Sequence, residues 1–352
     1  MGYDNAIRTY ATYSKNNELR RQSSSGAIFT LLAEKIFQQG GVVYGVAMSE
    51  DCYYVEFIRV TNKDDLSRLR GSKYLQAKVG RTFQRVKADL EAGIEVLFSG
   101  TSCQVNGLKS FLGRDYDNLY CVDVICHGVP SPKLWRKYAE YVEEKNKAKL
   151  VIVNFRCKDY GWSDFGIKQI DQNHEAIYIS KDKDPYMLMF LRDYALRPSC
   201  YECVTKKSKL ADLTIADFWG IDRVLPDMND GKGVSLVIIR TKKGEKIYDQ
   251  ISADTVSKKV SYEEAIKGNP AEYSSAKRPP EREYFFEDMS AMEFEKLKDK
   301  YAVPSSVSLI NKVKKLIKKI LIKTPIWNFG RGRINSFNYG LLFTLEKEKR
   351  TS

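Results

Sequence analysis

Histidine is nearly absent: His127 and His174 are the only two in 352 residues. That disfavours zinc sites built on imidazole while leaving thiolate sites open. No apolar run reaches the roughly eighteen residues needed to span a bilayer, and the first residues lack the basic, apolar and small-residue succession of a secretion signal. The expectation is a cytoplasmic protein. Neither G-x-G-x-x-G nor the P-loop pattern ending in Gly-Lys-Ser/Thr occurs, so the standard dinucleotide and P-loop fingerprints are missing. Internal repeats and low-complexity segments are missing too.

What is present narrows the class. Hydrophobic residues make up 43%, enough for one large domain or two modest ones and too many for global disorder. Seven cysteines, an odd number without a secretion signal, argue against a disulfide framework and for thiol or metal chemistry. The formal charge of +13 looks like that of a nucleic-acid binder until it is divided: residues 309–352 carry +9 and the other 308 residues +4. No specific nucleic-acid contact is expected. In "LINKVKKLIKKILIK" Leu309, Val313, Leu316, Ile317, Ile320 and Leu321 recur at helical spacing among lysines. The expectation is a basic amphipathic helix over 309–323 resting peripherally on an anionic membrane face, with nucleic-acid binding or plain packing as competing uses.

Along the chain, residues 1–20 read as a polar lead-in. The serines of "QSSSGAIFTLLAEKIFQQGG" suit a helix N-cap and the glycine pair a stop. "VVYGVAM" reads as a buried strand, and the text from Lys63 as a polar helix followed by a second over Arg81 to Ala92. "IEVLFSGT" and "LYCVDV" read as strands that each run into a turn and a helix. This alternation predicts an α/β chain with a mixed sheet, whose strand-end loops are where ligands sit. From Lys149 to Tyr178 the alternating, aromatic text predicts an antiparallel section, and 268–308 reads as a linker.

Four cysteines, Cys103, Cys126, Cys200 and Cys203, lie beside Gly, Pro or Ser in turns, where thiolates from different loops can converge. Iron–sulfur and zinc chemistry both fit that pattern. Cys52, Cys121 and Cys157 read as small hydrophobes. The loop Ser23, Ser24, Ser25 and Gly26 is either a phosphate cradle or a plain cap with surplus serines. Arg70 and Lys73 in "RGSKY" supply cations suited to phosphate or carboxylate. His127, next to Cys126, is either a proton donor near a redox centre or a cap for the helix after Pro130. Trp162 and Phe218-Trp219 read as core.

The motif series "RQSSSGAIF", "GGVVYG", "LRGSKYLQ", "VLFSGTSCQVNGL", "VDVICHGVPSP", "FRCKDYGW", "RPSCYEC", "DLTIADFWGI" and "KGVSLVII" resembles the coenzyme F420 hydrogenase/dehydrogenase beta-subunit family, in order, from about Arg21 to Ile251. The resemblance implies a flavin-binding α/β core with FAD and a 4Fe-4S cluster, divided into a flavin-binding region at 21–100 and a cluster and flavin region at 101–267. It makes Cys103, Cys126, Cys200 and Cys203 the cluster ligands. It also makes Ser23 to Gly26, Arg70, Ser72, Lys73, Tyr74, Thr101 and Gln104 the flavin-contacting residues. Coenzyme F420 or another hydride donor, and an electron-donor protein such as a ferredoxin, are the implied partners. Such chains occur in surface-polysaccharide gene clusters. The alternative reading is a non-catalytic electron-transfer or scaffold subunit. Three departures stand out: the family's ferredoxin-like N-terminal domain is not seen, Ser102 replaces a usual proline, and Ala27 replaces a usual glycine.

Overall fold

Between Val42 and Val122 successive buried residues face opposite sides of one sheet, as strand geometry requires. Val42, Tyr44, Val96, Phe98, Leu119 and Cys121 join one core, while Val43, Leu97, Tyr120 and Val122 join another. Strands covered on both faces read as continuous apolar runs, which is why "VVYGVAM" and "LYCVDV" carry so few charges.

The computed structural model describes residues 8–303, which belong to the first of two units into which the chain divides. Twelve strands lie in it: β1 (Arg8–Ser14), β2 (Val42–Met48), β3 (Val55–Val60), β4 (Ala77–Lys78), β5 (Val96–Thr101), β6 (Leu119–Val124), β7 (Leu150–Cys157), β8 (Gly166–Asp171), β9 (Ala176–Ser180), β10 (Leu213–Asp217), β11 (Ser235–Ile239) and β12 (Thr255–Lys259). Nine form a mixed sheet in the order β12-β1-β11-β10-β6-β5-β2-β3-β4, and β7-β8-β9 form a second sheet. The second sheet is antiparallel throughout, as its alternating sequence predicts. At the centre of the large sheet, β10, β6, β5 and β2 run parallel. The helix Ser102–Leu112 leaves β5, and Pro132–Asn146 opens on a proline with Ser131 as its cap.

Four expectations need correction. Residues 8–14 are not a lead-in but β1, inserted between β11 and β12; its Arg-Thr-Tyr-Ala-Thr-Tyr text is β-branched and aromatic, which suits a strand better than its polarity suggests. The polar helix from Lys63 lasts only to Leu66 and continues as a short 3-10 turn to Leu69. The serines do not cap the helix Ile28–Gln38: Ala27 occupies that position in the left-handed region, at φ 71°. Within 268–303 the chain is not a linker. Glu272 is 2% exposed, and Phe285, Phe294 and Leu297 are buried in the core that contains Trp135 and Tyr138. Gly268 has no room for a side chain, since a Cβ there would meet the Trp219 carbonyl oxygen at 1.7 Å.

The amphipathic stretch 309–323 lies outside the described residues. No helix among the described residues is long and apolar enough to cross a membrane.

Candidate functional site

The register of three parallel strands builds the site. Val124 of β6 lies opposite Thr101 of β5 on one side and Ile215 of β10 on the other. Cys103, Cys126 and Asp217 each stand two residues beyond that row, so three chemically active side chains leave the sheet at the same end. The carboxyl ends of parallel strands are where open α/β sheets hold ligands.

Cys200 and Cys203 arrive from a different segment, the loop before β10. It is laced to the loop after β6 by a bridge between Pro130 and Leu196, by Arg197 N–H donating to Val129 O at 3.0 Å, and by Ser131 N–H donating to Ala195 O at 2.9 Å. Backbone N–H groups of Gly128 and Val129 donate to the Cys126 and Cys200 sulfurs. Two of the thiols are raised, Cys126 by burial and then by Cys103 and Cys200, and Cys200 by burial and then by Cys103 and Cys203. Burial pushes the Cys126 thiol up to about 12, the neighbouring thiols push the same way, and Lys206 opposes them. Cys103 is exposed and the other three are half-buried. Among the described residues no three of His, Cys, Asp or Glu close round a single metal ion. Cys52, Cys121 and Cys157 are buried, as expected of small hydrophobes.

His127 sits beside Cys126 with its Nε2 2.5 Å from Asp193 Oδ1 and its ring edge-on to Phe190. Thr101 and Gln104 serve the helix that follows: Thr101 N–H donates to Gln104 Oε1 at 2.9 Å, completing a capping box, and Thr101 Oγ1 lies 3.1 Å from the Cys103 sulfur.

The serine loop packs on the same end of the sheet. Ser23 and Ser25 turn inward, donating to the carbonyls of Leu19 and Val234 at 2.8 Å. Gly26 is forced by packing, since a Cβ there would meet Thr12 O at 2.5 Å. Of the four loop residues only Ser24 turns to the "RGSKY" segment: its Oγ accepts from Ser72 N–H at 2.9 Å and lies 3.1 Å from Ser72 Oγ. Arg70 reaches Gln22 Oε1 at 2.8 Å. Lys73 Nζ donates to the carbonyls of Arg68 and Arg70 at 2.9 and 2.8 Å. Burial draws Lys73 down to about 7, while the two carbonyls favour its charged form.

Sequence reasoning missed the residue that joins the serine loop to Asp217. Arg156, with its side chain 1% exposed, donates to Asp217 Oδ1 at 2.7 Å and stands 3.7 Å over the Phe165 ring. Its Nε and Nη1, like the Nε of Arg70, are buried without a hydrogen-bond partner. Trp162 Nε1 donates to the same Asp217 oxygen at 2.6 Å and stacks on Trp219 at 5.1 Å. Tyr74 is held near Arg156 and Ser72, and burial raises its pKa. The available signal was the Asp-Phe-Trp-Gly run directly after an apolar strand; nothing marked Arg156 within "FRCKDYGW".

Residues 9–83 match the family model described as coenzyme F420 hydrogenase/dehydrogenase, beta subunit N-term, and residues 94–265 match the companion model for the C terminus of that beta subunit. The coenzyme F420-dependent sulfite reductase of Methanocaldococcus jannaschii is 22% identical over 236 residues, 65% of this chain and 35% of that protein. The chain therefore spans about a third of the length of this curated relative. A chain of the F420-reducing NiFe hydrogenase complex from Methanosarcina barkeri shares the fold, with TM-score 0.51 at 15% identity over 82% of this chain and 94% of that one. With both halves of the family pattern present in order, the chain belongs to the coenzyme F420 hydrogenase/dehydrogenase beta-subunit family.

Proposed function

We propose that this protein is a flavin- and iron–sulfur-dependent oxidoreductase that passes electrons between FAD and a 4Fe-4S cluster. Cys103, Cys126, Cys200 and Cys203 would hold the cluster. Ser24, Arg70, Ser72, Lys73 and Tyr74, with Arg156 beneath them, would hold the flavin. The observation that carries the reading is the gathering of four cysteines from three segments at one end of the sheet, near buried arginine nitrogens without a hydrogen-bond partner.

The donor sets fit the two groups. Four thiolates are what such a cluster takes. Unpaired guanidinium donors near Ser24 and Ser72 suit a phosphate-bearing ligand. When bound, a flavin exchanges electron pairs and a cluster single electrons. The chain supplies the rest. Asp217 orients Arg156 and Trp162, both of which donate to its Oδ1. The Gly128 and Val129 N–H groups stabilise charge on the sulfurs. His127, fixed by Asp193, is the group assigned to carry a proton at the cluster's edge.

The proposed hydride partner is coenzyme F420 or a similar donor, and the proposed electron partner a ferredoxin-like protein. The assigned setting is the cytoplasm, at the inner membrane face, in surface-polysaccharide synthesis. Anaerobic purification followed by a visible spectrum and assays for iron, sulfide and flavin tests the cofactor assignment. Deazaflavin reduction separates an enzyme from an inert electron-transfer or scaffold subunit.

A further inference from the structure

Beneath the four thiols lies a buried polar network with one cation left over. Lys209 and Arg240 both pair with Glu272, Lys209 at 2.6 Å, and side-chain exposures in the trio are 6%, 1% and 2%. Arg240 also donates to Thr214 Oγ1, whose hydroxyl donates to the buried Asp123. Lys206, half-buried, makes no ion pair among the described residues. Its Nζ donates to the carbonyl of Cys126 at 2.6 Å and to that of Ala271. Its own backbone N–H donates to Cys203 O at 3.1 Å. The lysine is thus tied to one cysteine by its tip and to another by its base.

An ammonium drawn out of water without a carboxylate of its own is costly unless another anion complements it. Glu272 also acts on Lys206 but already serves two cations. Tied by its tip to Cys126 and by its base to Cys203, Lys206 stands beside two of the four cysteines, where a bound thiolate centre would supply that negative charge. We propose that Lys206 is a positioning residue for the thiol centre: it is the fixed positive charge that offsets four thiolates and favours the more reduced, more negative state of what they hold. The proposal rests on the cluster assignment above. One electron, delivered by a reduced flavin or in the assay by dithionite, makes the centre more negative by one charge. A neighbouring cation makes that uptake easier.

The full chain is purified anaerobically as wild type, Lys206→Met and Lys206→Arg. Iron and sulfide are assayed, and the midpoint potential is read by EPR during a mediated dithionite titration. The expected result is equal iron in all three, a midpoint shifted to lower potential in Lys206→Met, and a midpoint near wild type in Lys206→Arg. A fully loaded Lys206→Met protein with the wild-type midpoint overturns the proposal. If Lys206→Met fails to load, Lys206→Arg decides: loading with a wild-type midpoint supports the charge role, and failure like that of Met reduces the lysine to packing. Wild-type protein free of iron and sulfide, with its spectrum unchanged on reduction, removes the cluster assignment itself and this proposal with it.

Discussion

Ser102 donates a 2.5 Å hydrogen bond to Asp123, a carboxylate with no exposed surface. Thr214 serves the second oxygen, and burial raises the Asp123 pKa despite Lys209 and both hydroxyls. Where the family's usual proline would offer nothing, this chain places a donor. Ser102→Ala should cost about 1–3 kcal/mol, the penalty for a buried acceptor left short. A carboxyl whose folded pKa is raised favours folding at low pH, and that contribution fades as the pH rises through the folded value. Removing a donor to the ionised form raises the folded pKa further. The loss in Ser102→Ala should therefore be largest near neutral pH and shrink in acid. Ser102→Pro should lose the same bond but recover part of the cost, because position 102 opens a helix. Urea denaturation at about pH 4.5 and about pH 7.5 checks all three outcomes.

A second carboxyl makes a sharper pH prediction. Asp184 has no exposed surface and caps the helix Pro185–Leu191, accepting from Met187 N–H at 2.8 Å and Tyr138 OH at 2.6 Å. Burial pushes it up to about 6, against an unfolded value of about 3.9. Its contribution is present below about pH 4 and lost as the pH rises through about 6, about 3 kcal/mol in all. Asp184→Asn keeps the cap acceptor and cannot ionise. The stability difference between mutant and wild type should grow in the mutant's favour across that window; a difference independent of pH would refute the assignment.

The thiols divide into two sets with opposite expectations. Serine at Cys103, Cys126, Cys200 or Cys203 should bleach the broad visible absorbance and lower iron from about four per chain. Cys52→Ser should leave iron unchanged, and so should Cys157→Ser. Full iron in Cys200→Ser would reject the ligand set.

For the proposed flavin site, Ser24→Ala combined with Lys73→Ala should weaken FAD retention while iron stays bound. Arg156→Gln should do so more strongly, by about tenfold or more, since charge-assisted hydrogen bonds contribute about 1.5–3 kcal/mol. Equilibrium dialysis with FAD measures it. Unchanged affinity in both proteins would make the loop a structural turn and Arg156 a bolt between the two sheets.

Much of this was legible in the sequence, and the reason differs by element. β5 and β6 announce themselves because both faces are buried and the apolar run ends in a Gly-containing turn. The thiols stood out because cysteine in a turn has no packing purpose. β1 was missed because its two partners lie more than two hundred residues away and its own text is polar. Arg156 was missed for a related reason: its role comes from Asp217, Phe165 and Ser24, none adjacent in sequence. The hydroxyls of Ser23 and Ser25 donate to carbonyls of Leu19 and Val234, the second more than two hundred residues away, which no local pattern reveals.

The basic stretch 309–323 carries a prediction from sequence alone. Six lysines among apolar residues that recur at helical spacing should bind anionic vesicles, each cation adding on the order of 1 kcal/mol. In flotation assays the full chain should rise with phosphatidylserine vesicles at low salt and stay below at high salt or after truncation past Val307. A full chain that stays with the soluble fraction at low salt counts against it.

The placement of β1 has a consequence for synthesis. Arg8 pairs with Ile239 and Tyr10 with Lys259, so the first strand made waits for nearly the last one of the sheet. On a ribosome adding about 5–20 residues per second, that strand spends about ten seconds or more as an unpaired β-segment. Long-range pairing of this kind is slow to form and open to wrong partners. Slower induction and lower temperature should raise the soluble yield of this chain more than they would for a protein whose strands pair in order.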